Sequence, residues 1–168
     1  MFIDETGLNT KLARLYGRSP RGERCRSSIP HGHWRSSTFL AALRHDQITA
    51  PFLVDGPLDA EVFLVYLQRV LVPCLQAGDT LILDNLPTHK VQGVEPLLRA
   101  KGVELRYLPP YSPDLNPIEP AFSKFKAHLR QAAARTEEHL LTAVAGSLDT
   151  FSPADCRAFF RHAQYASI

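Results

Sequence analysis

Three carboxylates in this chain have types and settings that could do chemistry. Asp4 closes the apolar run Met1-Phe2-Ile3, and Asp84 closes a second one, Leu81-Ile82-Leu83. Glu119 follows a loop that carries Pro109, Pro110, Pro113 and Pro117. A short apolar run buried on both faces reads as a central strand of a covered sheet, and an acid at its end reaches a sheet edge where ligands bind. If the two runs pair in parallel, Asp4 and Asp84 emerge together. Two carboxylates ~4 Å apart repel by several kcal/mol in a protein-like dielectric, which no structural core requires. An all-oxygen donor set suits Mg²⁺ or Mn²⁺. Two such ions can activate a water or 3′-hydroxyl and stabilise the leaving oxygen of a phosphodiester.

Each acid also has a purely structural reading. Asp84-Asn85 could be a strand-ending turn, and Asp4 another, with Glu5 its solvent-facing neighbour. Glu119 could be the reciprocal partner of Asn116 in a capping-box-like arrangement. The joint occurrence of two strand-end acids and a loop-delivered third favours the chemical reading.

The elements that must position these groups follow from local pattern. Proline fixes φ and keeps the preceding residue out of the helix, so the run up to Asn116 is expected to be extended or turned. Asn116 then reads as N-cap, Pro117 as the first helical residue and Glu119 as the third. Pro120 would be the fourth, where it forfeits the first intrahelical bond. Either a tightened first turn or a helix that starts at Pro120, capped by Glu119, is expected.

Upstream, residues 24–29 alternate as a half-exposed strand with arginines on one face, and 34–44 and 48–54 form two more strands. In the 34–44 strand, Phe39, Ala41 and Leu43 share one face and Leu40 and Ala42 the other. Asp59 can cap a helix whose stripe is Phe63, Leu67, Val70, Leu71 and Cys74. A helix at 91–100, a strand at 104–108 and helices at 118–134, 137–149 and 153–163 complete the chain. Ser152 caps the last helix, with Pro153 at its first position. The order gives a mixed α/β sheet with helices packed on it, and the 1–4 and 81–84 strands as central neighbours.

At 168 residues, 45% hydrophobic and 21% charged, the chain is one domain with room for a core. The net charge of +2 is unevenly spread. Seven basic residues against Glu23 alone lie between Lys11 and Arg35, leaving the rest of the chain at −4. That excess suits a polyanion such as nucleic acid, or else a solvated basic hairpin. Cys25, Cys74 and Cys156 lie far apart, which suits a reducing compartment and argues against zinc. His31 and His33 have no third ligand nearby. No signal peptide or membrane span is expected. On the 118–134 helix, Ile118, Phe122, Phe125 and Leu129 form a core stripe; Glu119, Ser123, Lys126 and Arg130 lie on the stripe beside it. The latter is either a phosphate-facing surface or a solvated one.

Asp4-Glu5-Thr6-Gly7, Leu81-Ile82-Leu83-Asp84-Asn85 with His89-Lys90, and Tyr111-Ser112-Pro113-Asp114-Leu115-Asn116-Pro117-Ile118-Glu119 together resemble one family. It is the catalytic domain of bacterial insertion-sequence transposases of the mariner superfamily, the insertion-sequence six-thirty family. The 34 residues between Asp84 and Glu119 match that family's Asp-Asp-Glu spacing. The resemblance spans essentially all of residues 1–168 and implies a ribonuclease-H-like fold, a mixed five-stranded sheet with helices packed on it. It implies that Asp4, Asp84 and Glu119 bind two Mg²⁺ or Mn²⁺ ions, supported by Asn85, His89 and Asn116. It implies nicking at transposon ends and transfer of the freed 3′-OH into target DNA, typically at TA.

DNA contacts are then expected from Arg14, Arg18, Arg21, Arg24, Arg26, Arg35, Lys126 and Arg130. A homodimer in the active complex and a cytoplasmic, nucleoid-associated location are also expected. The helix-turn-helix region usual in the family has no counterpart in these residues, so a separate product of the same element is a candidate partner. A non-catalytic DNA-binding remnant that inhibits an intact transposase, and a host nuclease of the same fold, are the alternatives.

Overall fold

A computed structural model of the chain describes residues 1–13, 16–26, 35–86 and 89–165. Five strands pair in the order β3-β2-β1-β4-β5. β1 is Phe2–Asn9, β2 Ser36–Leu43, β3 Ile48–Asp55, β4 Thr80–Leu83 and β5 Glu104–Tyr107. The first three form an antiparallel meander, and β4 and β5 run parallel to β1. The expected central pair is therefore present: Phe2 aligns with Ile82, and the Ile82 amide donates to the Met1 carbonyl at 2.9 Å.

β1 is longer than its apolar start suggests. It runs on through Thr6 and Leu8 because β2 supplies a complete antiparallel partner, from Phe2 opposite Leu43 to Asn9 opposite Ser36. Asp4 is thus mid-strand rather than at a strand end. β4 stops at Leu83, so beyond that point β1 continues without its parallel neighbour. This step in the sheet opens the space into which Asp4 and Asp84 project.

The two faces of β2 divide the core as its alternation requires. Leu40 and Ala42 join Ile3, Leu81 and Leu83 beneath α1 (Ala60–Tyr66) and α2 (Val94–Ala100). Phe39, Ala41 and Leu43 join Leu8 beneath α3 (Ile118–Ala132), α4 (Glu137–Leu148) and α5 (Pro153–His162). Phe39 stacks on Phe125 at 4.5 Å between ring centroids. Asp59 caps α1 through the Val62 amide at 2.8 Å. Ser152 and Asp155 form a full capping box on α5.

The apolar stripe from Phe63 to Cys74 is not one regular helix. After α1 the chain widens into a π-helical turn at Leu67–Leu71 and tightens into a 3₁₀ turn at Val72–Cys74. Pro73 has no amide to continue the ladder, and the stripe still buries Phe63, Leu67 and Leu71. α2 begins only at Val94, because Gly93 takes φ +107. The expected strand at 24–29 is not formed at 24–26, which are exposed and irregular; 27–29 lie outside the described residues, as do His31 and His33. Without a partner strand on either side, the alternation there has no ladder to join.

Arg44, just past β2, is bound by both oxygens of Asp79 at 3.0 and 2.5 Å and donates to the Cys74 carbonyl at 3.0 Å. This fork ties the β2–β3 turn to the turn that launches β4. The Arg44 hydrogen bond, despite the opposing effect of partial burial, holds the Asp79 carboxyl below its ordinary value. A depressed carboxylate stabilises the fold fully above about pH 4 and loses that contribution as pH falls through its folded value. Asp79→Asn should lower the unfolding free energy by about 2 kcal/mol at pH 7. The gap from the parent chain should narrow below pH 4 in urea melts.

Candidate active site

The register that aligns Phe2 with Ile82 sets Asp4 level with Asp84 two residues on. The two residues, with Glu119 and Asn116, line one open cavity of about 540 Å³. Its far wall is the loop from Leu108 to Pro113. Sequence and fold thus bring all three predicted acids to one place, although they come from three separate elements.

Asp4 is buried, and each of its oxygens accepts one hydrogen bond. Oδ1 takes the Glu5 amide at 2.8 Å, and Oδ2 takes Nδ2 of buried Asn116 at 2.7 Å. Burial pushes the Asp4 carboxyl up to about 7, and the charges of Glu5, Asp84 and Glu119 push the same way, against the Glu5 amide. Shifts of this kind, from desolvation and like charge in a cleft, cluster at functional sites.

Behind Asp84 stands His89, only 1% exposed. Its Nδ1 meets Asp84 Oδ1 at 2.5 Å and its Nε2 meets Glu5 Oε2 at 3.0 Å, while its ring lies 4.7 Å from that of Phe63. Burial alone would lower the imidazole, but its two carboxylate partners outweigh that and raise it to about 9. Burial likewise opposes the charged form of Asp84, but the His89 contact and charge, together with the Leu86 amide that donates to Asp84 Oδ1 at 3.1 Å, overcome it, so Asp84 sits below its usual range. Glu5 is therefore not a merely solvent-facing neighbour of Asp4. Strand alternation sends it to the opposite face of β1, where it holds His89. No local pattern distinguishes that role; only the adjacency of β1 and β4 creates it.

The proline loop resolves the expected conflict at Pro120. Pro113–Leu115 is a 3₁₀ turn, and α3 starts at Ile118, as the expected 118–134 range has it, but its N-cap is Pro117 rather than Asn116. Since Pro120 has no amide for the Asn116 carbonyl, that carbonyl accepts from the Glu119 amide at 3.2 Å. The first turn is tightened, and the helix does not restart at Pro120. Asn116 Oδ1 accepts the Ile118 amide at 3.4 Å, but no hydrogen bond returns from the Glu119 side chain. Among the described residues Glu119 has no capping-box role; it is exposed at the cavity.

Lys126 and Arg130 continue along α3 from Glu119. Their spacing on α3 puts all three on one face, and partial burial and the Arg130 charge lower Lys126 while Glu119 opposes them. Arg18, Arg21, Arg24 and Arg26 are exposed. Arg35 is exposed and paired with Glu137 at 2.5 Å. Arg14 lies outside the described residues.

Among the described residues no three His, Cys, Asp or Glu side chains close around a common metal position. The donor chemistry nonetheless fits a hard divalent cation. Three carboxylates face one cavity, Asp4 is under electrostatic pressure, and the buried Oδ1 of Asn85 in the same wall has no hydrogen-bond partner. Asp4, Asp84, Glu119 and the Asn85 oxygen are the groups that would hold it.

Residues 1–141 match the family described as DDE superfamily endonuclease. The chain belongs to that family. The chain also shares its fold with solved structures of Mos1 transposase. The Mos1 paired-end complex with the left transposon end aligns at TM-score 0.70 and 16% identity, over 95% of this chain and 50% of that one. The pre-cleavage Mos1 transpososome aligns at 0.70 and 15%, over 98% and 52%. The isolated catalytic domain of Mos1 mariner transposase aligns at 0.65 and 14%, over 98% and 78%. The chain spans about half the length of the Mos1 chains in those complexes. No curated protein matches it. No helix among the described residues is long and apolar enough to cross a membrane.

The hydrogen bond that orients Asp4 is directly testable. Asn116→Ala should cost about 2 kcal/mol of stability, because it leaves a buried carboxylate oxygen unpaired. Asn116→Asp should cost more at pH 8, since it sets a second carboxylate against the first. Chemical denaturation measures both.

Proposed function

We propose that this DDE endonuclease is the catalytic domain of a DNA transposase of the bacterial insertion-sequence type within the mariner superfamily. The observation that carries this reading is the cavity where Asp4, Asp84 and Glu119 converge, with Asp4 driven up to about 7. Bound there, two Mg²⁺ or Mn²⁺ ions would supply an activated hydroxyl and stabilise the leaving oxygen of a phosphodiester.

The chain's own residues do the rest. Asn116 and the Glu5 amide hold the Asp4 carboxylate in one rotamer. His89 fixes Asp84 from behind and keeps it ionised. The tightened turn at Asn116 aims Glu119 into the cavity, and Asn85 offers a neutral oxygen beside the acids. Lys126 and Arg130 lead phosphates along α3 toward Glu119, with Arg14, Arg18, Arg21, Arg24, Arg26 and Arg35 as further backbone contacts. Lys90, at the cavity wall, adds a cation that the sequence pattern had marked only as His89's neighbour.

Cleavage at transposon ends followed by transfer of the 3′-OH into TA target sites is the activity proposed for this machinery. End recognition would come from a helix-turn-helix region, carried by the whole protein or by a separate product, in a homodimer acting on cytoplasmic DNA.

Purified protein fused to an end-binding domain should nick plasmid DNA bearing the element's ends with Mg²⁺ or Mn²⁺, and EDTA should stop it. Asp84→Ala and Glu119→Gln should each reduce the rate about 10³-fold, the loss of ~4 kcal/mol of transition-state stabilisation. Divalent-dependent nicking that survives Asp84→Ala would refute the assignment. DNA binding without any nicking would instead favour the non-catalytic remnant.

A further inference from the structure

Tyr111 stands apart from every other aromatic side chain that the cavity could use. Its side chain is wholly exposed, and among the described residues it makes no hydrogen bond or ring contact. Its backbone takes φ +56, a left-handed conformation that a bulky residue rarely adopts. The residue sits in a turn flanked by Pro109, Pro110 and Pro113, and the ring gains no packing from that conformation. Strain of this kind, without structural return, points to a ligand.

The position of the ring says which ligand. Tyr111 lines the cavity that holds Asp4, Asp84 and Glu119. Beside it the wall is uncharged and apolar: Leu108, Pro109, Pro110 and the exposed Leu86. Lys90 also lines the cavity, with its Nζ 5.5 Å from the centroid of the Tyr107 ring. One site therefore offers carboxylates for cations, a lysine for phosphate and a free aromatic face on an apolar wall. A nucleotide combines the matching parts, a phosphate and a flat π-surface. Bases within a duplex have both faces covered by their neighbours, so a free face belongs to an unpaired or terminal base.

We propose that the Tyr111 ring is a stacking platform for one unpaired nucleobase beside the phosphate that the carboxylates address. This deepens the proposed function and depends on it only for the identity of that phosphate. Stacking on a single aromatic ring is tolerant of base identity and strong enough to hold a strand end in place. The platform would keep a frayed end from re-pairing while its phosphate lies among the acids.

The test uses a duplex with a single-stranded 3′ overhang whose first unpaired base is 2-aminopurine, with a blunt duplex as control, in Ca²⁺ and the full chain. The parent protein should quench the 2-aminopurine fluorescence and bind the overhang duplex more tightly than the blunt one. Tyr111→Ala should abolish the quench and weaken overhang binding about tenfold, leaving blunt-duplex binding unchanged. Tyr111→Phe and Tyr111→Trp should retain both. Tyr111→Gly accepts φ +56 without strain and should behave like the alanine variant, which excludes a displaced loop as the cause. Asp84→Asn should keep the quench, so cleavage and stacking can fail separately. A quench that persists in Tyr111→Ala, equal losses on both duplexes, or no quench by the parent protein would each overturn the proposal.

Discussion

The Asp4 carboxylate is buried in the middle of a strand, among other negative groups, and the rest of the site follows from that. A lone acid in such a place would neutralise or destabilise the fold. Here its two oxygens are satisfied by the Glu5 amide and by Asn116, which leaves the electrostatic pressure of Asp84 and Glu119 unrelieved. A sheet alone would not produce this arrangement. It requires that β1 outrun β4, so that an acid within the strand faces an opening instead of another strand.

Asp84 solves the same problem differently. It is partly exposed, and His89 compensates it from the opposite face of the sheet. The imidazole is wedged between Asp84 and Glu5 against Phe63, so a single buried cation serves two carboxylates. One acid is thus raised and its neighbour lowered. Two carboxylates with opposed shifts can play different parts in one reaction. The cost of burying His89 is met by its two ion pairs, and its position ties α1 to the edge where chemistry is proposed.

The proline loop contributes rigidity on the third side. Tyr165 donates to the Leu115 carbonyl at 3.0 Å, and its ring packs against Phe2 and Phe160. The loop is therefore anchored to α5 and to the strand that carries Asp4. Pro120, which has no amide to give the Asn116 carbonyl, leaves that carbonyl to the Glu119 amide and tightens the first turn. The carboxylate of Glu119 is left unbonded and facing the cavity.

Much of this was legible in the chain alone, for local reasons. Alternation in Phe39–Leu43 assigned both faces of β2, because strand geometry sends successive side chains to opposite sides. The apolar runs before Asp4 and Asp84 marked central strands, Ser152-Pro153 marked a helix start, and the prolines marked a stiff loop ahead of Glu119. Those signals depend on dihedral preferences and hydrophobic period, which act within a few residues. The length of β1, the pairing of Glu5 with His89, the reach of Asn116 to Asp4 and the exposure of Tyr111 carry no such signal. They depend on which elements become neighbours: β2 opposite all of β1, and contacts that join residues 84 and 112 positions apart, Glu5–His89 and Asp4–Asn116. Residue types and local spacing determined which acids could act and which elements carry them. Tertiary packing alone decided that Asp4 is buried and pressed by like charges, that Asp84 is compensated, and that Glu119 is free.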